Sequence, residues 1–372
     1  KILIPVAVIA IIIIGLAIFS SIIFYNPDSI SITITDIPAT GDESGYYYNV
    51  NAIFSNLPSN TQGYLLKTTY YDSKIITFFF DLAGIIKMMF TIKEGDIIVL
   101  QYPVKKYFSF ICNYAHLHNA KVIALIHDLG SMRRKKLTIE KEILRLMHAD
   151  HVIASNEIMA TWLKDHGYNN SLGSLGLFDY RSISKSKERT SDNNHYSIVY
   201  AGALAIRKNS FLLKMQNMVK DYKLNIYGNR SGLPGLEDSD NIHVHDFMKS
   251  EEFISTVDGD FGFVWDGDSL DTCSGSFGEY LRWNSPHKVS FYLRAGLPII
   301  VWDKAAVAPI VKKEGIGICI SNIAELNDIL KSITPEEMQK MRINVSRVSK
   351  DLSNGAFLNK AVNNGIEMLA KG

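Results

Sequence analysis

The chain has 372 residues, with 39 Lys and Arg against 38 Asp and Glu, a formal net charge of +1 and 47% hydrophobic residues. That length exceeds one ordinary core and suits two domains of ~150 residues plus an appendage. The near-neutral balance lacks the basic field that nucleic-acid binding needs, and Cys112, Cys273 and Cys319 are too scattered for a disulfide framework or a zinc cluster.

The appendage comes first. Residues 2–25 are apolar apart from Ser20 and Ser21, which exceeds the ~20 residues a helix needs to span a bilayer. No small-residue cleavage site follows, so the spacing predicts an uncleaved transmembrane anchor over residues 1–26.

Beyond residue 30, short apolar runs alternate with amphipathic segments, the pattern of parallel sheets flanked by helices. Strands are predicted at 31–36, 97–101, 121–127 and 152–154, and a second series at 197–201, 224–227, 261–265, 297–301 and 317–320. Between the series, the polar run 182–194 has no hydrophobic period and reads as an interdomain linker. The expected fold is therefore α/β: two doubly wound, Rossmann-like domains facing a cleft. The first occupies 27–185 and the second 186–352. The final segment, 353–372, has helical apolar spacing and is expected to return to the first domain.

Ligands of such sheets bind outside the carboxyl ends of the strands. The first strand of the second domain ends at Tyr200-Ala-Gly202, where Gly202 admits close backbone approach. Arg207 and Lys208 follow, a forked donor and a point charge in reach of a diphosphate. Tyr227 ends the next strand and serves either as a stacking surface for a base or as core. The apolar run at 261–265 leads into a polar loop, Asp266-Gly-Asp-Ser269 and Thr272-Cys-Ser-Gly275, in which Ser274 and Gly275 offer a hydroxyl and flexible backbone. Ser285-Pro-His-Lys288 then opens a helix. Its free N–H groups attract an anion, and Lys288 adds a full charge. The whole arrangement suits a nucleotide-sugar pocket. Asp266-Gly-Asp268 matches a metal-holding DxD only in outline and falls late in the second sheet, so no metal or other cofactor is expected.

Six segments carry a family resemblance: Tyr200-Ala-Gly-Ala-Leu204, Phe263-Val-Trp-Asp-Gly-Asp-Ser269, Thr272-Cys-Ser-Gly275, Phe277-Gly-Glu-Tyr280, Asn284-Ser-Pro-His-Lys288 and Pro298-Ile-Ile-Val-Trp-Asp-Lys304. With Ile126-His-Asp128, they resemble the bacterial β-1,6-galactofuranosyltransferases of O-antigen assembly and, more distantly, the glucosyltransferases that glycosylate serine-rich adhesins. The resemblance runs from about residue 32 to the C-terminus. It implies a GT-B fold, a UDP-sugar donor and no metal. Many such enzymes hold ribose with a glutamate five residues before the glycine corresponding to Gly296, but here that position is Phe291. Glu279, Asn284 or Tyr292 is left to take that role, with His287 beside Lys288 on the donor side.

The reaction implied is inverting displacement at the anomeric carbon, which needs one general base from the first domain. Asp128 ranks first, Asp42 second and His127 third. Arg133-Arg-Lys-Lys136 is either a solvated loop or a grip for anionic headgroups and lipid pyrophosphate. The partners expected are a UDP-sugar, a lipid-linked saccharide acceptor and the membrane, with self-association left open. The expected location is the bacterial inner membrane with the catalytic domains on the cytoplasmic side.

Overall fold

The structure, a computed structural model, describes residues 31–36, 62–67, 74–103, 107–133, 137–189 and 196–371. The predicted anchor, Asp42 and residues 134–136 lie outside the described residues. Among the described residues, no helix is long and apolar enough to cross a membrane.

Two six-stranded parallel sheets carry the fold. The first has the order β2-β1-β3-β4-β5-β6, built from β1 (Ser31–Asp36), β2 (Gln62–Lys67), β3 (Ile97–Tyr102), β4 (Lys121–Ile126), β5 (His151–Ala154) and β6 (Ser171–Ser174). The second has the order β12-β11-β10-β7-β8-β9, from β7 (Ser197–Ala201), β8 (Lys223–Tyr227), β9 (Ile242–His245), β10 (Phe261–Val264), β11 (Ile299–Trp302) and β12 (Gly317–Ile320). Helices cover both faces of the central strands, which is why β4 reads KVIALI and β11 reads IIVW without a polar alternation. The strand order of the second sheet reverses between β7 and β10. The crevice beyond the carboxyl ends of those two strands is thus the topological switch point, where ligands of such sheets bind.

One crossing and one return join the domains. Arg294 ties down the crossing: its guanidinium donates to the carbonyl of Tyr180 at 3.0 Å and to those of Ser182 and Ser184, each at 3.3 Å. The return begins where the helix Pro335–Asn354 ends at Gly355 and the helix Ala356–Lys371 turns back over the first sheet. There Leu358, Ala361 and Val362 pack against Val99, Ile123, Leu125 and Ile153, a burial that contributes roughly 4 kcal/mol.

Asp179 caps the start of that last helix, accepting from the backbone N–H of Leu358 at 2.6 Å and of Phe357 at 3.3 Å. Burial pushes its carboxyl up to about 7, despite the two donors that pull the other way. Between pH 4 and pH 7 the folded chain therefore holds a proton that the unfolded chain has released, so stability falls as pH rises through that range. Urea unfolding across it is expected to show a decline on the order of 3 kcal/mol. Asp179→Asn keeps one acceptor and is expected to flatten that decline.

Candidate active site in the interdomain cleft

The switch point is organised by a helix that crosses β10. Gly262 lies flush beneath this helix: a Cβ there would stand 2.3 Å from Cγ of Tyr292, so only glycine lets the helix come this close. Tyr292 is fully buried, and its hydroxyl accepts the N–H of Ala201 at 2.7 Å. It props up the end of β7, a packing role for a residue that the sequence also offers as a ribose contact. Four residues earlier, on the same side of the helix His287–Arg294, Lys288 rises past the strand end. Its Nζ lies 3.9 Å from the centre of the Tyr200 ring, and a Cβ on Gly202 would be 3.7 Å from that nitrogen. Gly202 itself has φ +145, a backbone state that L side chains rarely adopt. The amide of Asn209 donates to the Tyr200 hydroxyl, which donates to Asp266 at 3.1 Å. Burial first, then repulsion from Lys208, brings the Lys288 ammonium down to about 7, with Asp266 opposing them.

Further cations gather around one ring. Arg207, Lys208 and Arg133 lie 5.5, 5.8 and 5.6 Å from the centre of Phe277, close enough for each to be drawn to its face. Arg207 and Lys208 thus stand on the same side of the crevice as Lys288. Phe277 and Tyr280 had only been matched as part of a motif. Arg133, first of a run that reads either as a solvated loop or as a grip for headgroups and lipid pyrophosphate, stands here at the cleft beside Phe277.

Other expected contacts fall elsewhere. Tyr227 is buried between His245, 4.5 Å away and stacked, and Phe253, 5.3 Å away and edge-on. It is core and not a platform for a base. Phe291 stacks on Phe253 at 4.5 Å, so the apolar residue in the ribose-glutamate position is explained by packing. The hydroxyl of Ser274 donates to Asp268 at 2.6 Å and accepts its backbone N–H at 3.0 Å, which closes the loop and leaves ligand contact to neighbouring groups. Gly275 follows on the exposed surface with φ +67. Glu279 pairs with Arg282 at 2.9 Å. Asn284 keeps a buried Oδ1 with no hydrogen-bond partner among the described residues, an acceptor suited to a ligand hydroxyl.

The facing wall comes from the end of β4. His127 is 4% exposed, with Nε2 2.7 Å from Oε1 of Gln101 and Nδ1 3.4 Å from Nε2 of His287. Both rings lie against Phe178. Burial and the neighbouring His287 hold His127 well below the ordinary histidine range, and burial with Arg133 brings His287 down to about 4. Two uncharged imidazoles thus form a seam between the domains. Both residues expected at the cleft, His127 as a base and His287 on the donor side, thus sit in this seam, His127 buried and His287 half-buried. Asp128, next in the chain, keeps 21% of its side-chain surface and pairs with Arg133.

The domains also meet through the N–H of Leu129, which donates to the Tyr280 hydroxyl at 2.8 Å. Asn156 donates to the carbonyl of Trp283 at 3.0 Å and to Ser285 Oγ at 3.1 Å. A hollow of about 1130 Å³ beneath the linker, lined by Arg189, Arg294 and Arg342, differs from this crevice in chemistry. Arg189 there donates to the carbonyls of Gly259, Val257 and Ala295, so its charge is engaged in holding the hinge.

Comparison with known proteins agrees with this geometry. The family described as glucosyltransferase 3-like matches twice, its N-terminal domain over residues 34–177 and its C-terminal domain over 198–365. Beta-1,6-galactofuranosyltransferase WbbI of Escherichia coli (strain K12) is 30% identical over 279 residues, covering 75% of this chain and 81% of that protein. Glucosyltransferase 3 of Streptococcus parasanguinis is 22% identical over 284 residues, 74% of this chain and 80% of the relative. Among solved structures, the apo form of the lipopolysaccharide outer core galactosyltransferase WaaB superposes with a TM-score of 0.60 at 12% identity, over 90% of this chain and 99% of its own. AviGT4, a glycosyltransferase involved in avilamycin A biosynthesis, gives 0.52 at 10% identity, over 92% and 99%. These two share the fold.

Proposed function

We propose a reaction for this chain, which belongs to the glucosyltransferase 3-like family and is a glycosyltransferase of GT-B fold: it transfers galactofuranose from UDP-galactofuranose to a sugar hydroxyl of a lipid-linked O-antigen or polysaccharide precursor, with inversion. The observation that carries the reading is the Lys288 ammonium, set against Gly202 at the switch point of the second sheet. The choice of sugar is supported by the activity named for the 30% identical relative. The glucosyltransferase name of the second relative makes UDP-glucose the nearest competing donor.

In this reaction the acceptor oxygen forms a bond to the anomeric carbon as the bond from that carbon to the phosphate oxygen breaks. UDP leaves with the electron pair. The acceptor proton passes to Asp128, the carboxylate at the end of β4. Lys288, Lys208 and Arg207 neutralise the charge that develops on the diphosphate. No metal is assigned to that task, because Asp266 accepts from Tyr200 and Asp268 from Ser274, and three cations already face the position. The apolar stretch 2–25 and the cytosolic origin of UDP-sugars support a bacterial inner-membrane location with the domains on the cytoplasmic side. Protease protection in oriented vesicles tests that placement.

The donor is tested by incubating the protein with an undecaprenyl-type saccharide acceptor and a panel of UDP-hexoses, with products read by mass spectrometry. Product from UDP-galactofuranose at least about tenfold above that from UDP-glucose and UDP-galactopyranose is expected, the discrimination a hydrogen-bonding sugar site readily provides. Preference for a pyranose donor rejects the furanose assignment.

A further inference from the structure

Arg133 belongs to the first domain, yet it stands among the cations of the second. Its helix, Gly130–Arg133, is anchored from below by Glu142, which is 1% exposed and accepts the N–H groups of Gly130 and Ser131, both at 2.8 Å, and the Tyr102 hydroxyl at 2.8 Å. The backbone that carries Arg133 is thereby fixed at the mouth of the cleft. From there the guanidinium has two neighbours: one terminal nitrogen pairs with Asp128, and its carbon lies 5.6 Å from the Phe277 ring, which Arg207 and Lys208 approach from the other domain. A guanidinium presents five donors in a planar fork, enough to bond a carboxylate on one edge and a phosphate on another.

We propose that Arg133 bridges the cleft, binding the donor diphosphate with one edge while it holds Asp128 with the other, so that donor binding loosens its grip on the base and raises the basicity of that carboxylate. The inference rests on the glycosyltransferase reading of the same cleft. A dianion beside the guanidinium competes for its charge, and a carboxylate that loses part of a cation's field binds a proton more readily. Among the described residues, the other charged or titratable groups near Asp128 include Tyr280, whose phenol feels its charge, Glu142 behind the helix, and the uncharged His127 and His287. Tyr280 remains protonated, held far above the ordinary phenol range chiefly by burial. Among the described residues, Arg133 is the cation that both pairs with Asp128 and stands beside the Phe277 ring, so its field is the one a diphosphate there would redirect. It is a positioning residue for Asp128 and a binding residue for the donor.

The test compares the wild type with Arg133→Ala, Arg133→Lys and Phe277→Leu by UDP titration calorimetry and by pH profiles of kcat and kcat/KM for the donor. Wild type is expected to show an acid limb at higher pH in kcat, which reports the donor complex, than in kcat/KM, which reports the free protein. In Arg133→Ala the two limbs are expected to coincide, and UDP affinity to fall about tenfold, the effect of one charged hydrogen bond. Arg133→Lys retains a point charge and is expected to recover part of the affinity. Phe277→Leu keeps bulk, removes the ring face and is expected to weaken UDP binding threefold or more. UDP affinity within twofold of wild type in Arg133→Ala, or coincident acid limbs in the wild type, overturns the proposal. Lys288→Met separates the two levels. If it loses UDP while Arg133→Ala does not, this inference fails and the donor site stands; if neither variant loses UDP, the donor site itself fails.

Discussion

Lys288→Met is expected to lower kcat/KM by about a thousandfold, the scale seen when one preorganised charge at a leaving group is removed. The methionine keeps a straight apolar stem over the Tyr200 ring, so the change isolates the charge from the packing. Arginine is a poor substitute, because its planar fork needs width where the ammonium lies 3.9 Å from the ring centre and 3.7 Å from the Cβ position of Gly202. The pH dependence has a defined sign. Since burial and Lys208 bring the ammonium down to about 7, an increasing share of the protein lacks this charge above pH 7. A diphosphate favours the protonated form, so binding takes up a proton, and UDP affinity is expected to fall about tenfold per pH unit above 7. Calorimetry in buffers of different ionisation enthalpy measures that uptake directly. Affinity that stays flat from pH 6.5 to pH 9 contradicts the assignment.

Asp128→Asn carries the second large effect. Removal of the base is expected to lower kcat by about 10³-fold, within the usual contribution of a positioned general base. UDP affinity should stay the same or improve, because Asn no longer draws the Arg133 fork away from a phosphate. The effect is distinct from that of His127→Gln. His127 is engaged with Gln101 at 2.7 Å and stacked on Phe178, so its replacement is expected to destabilise the domain seam by about 1–3 kcal/mol with a smaller effect on kcat. Asp42→Asn is the matching control. A loss in kcat there equal to that of Asp128→Asn would move the base to the first loop.

Much of the fold was legible because parallel strands buried on both faces leave an unbroken apolar mark. β3, β4, β7, β10 and β11 carry that mark, and the order of their connections follows from it. β2 (QGYLLK) and β6 (SLGS) do not stand out as strands by composition. Each is an edge strand, where one side of the sheet no longer selects for apolar residues. Lys288, Gly202, Arg207 and Lys208 could be found because strand ends and helix starts announce themselves locally. For Tyr292 and Tyr227 packing and ligand contact stayed open alternatives, because residue type does not state which side of an element meets the cleft. For Tyr292 a signal was present: Gly262 in the middle of a strand marks a close approach of something bulky, and that something is the Tyr292 ring. Arg133, Phe277 and Tyr280 came together through the pairing of two domains. Leu129 and Tyr280 are 151 positions apart in the chain, and no local pattern encodes such a contact.

The central claim is that the anion of a nucleotide-sugar sits between Lys288 and the end of β7. A crystal structure of the protein soaked with UDP tests it most directly. The diphosphate is predicted within hydrogen-bond reach of Lys288 Nζ and against the backbone of Gly202, with Arg207 or Lys208 on its other side. Diphosphate density in the hollow beneath the linker, among Arg189, Arg294 and Arg342, with none beside Lys288, would contradict the account.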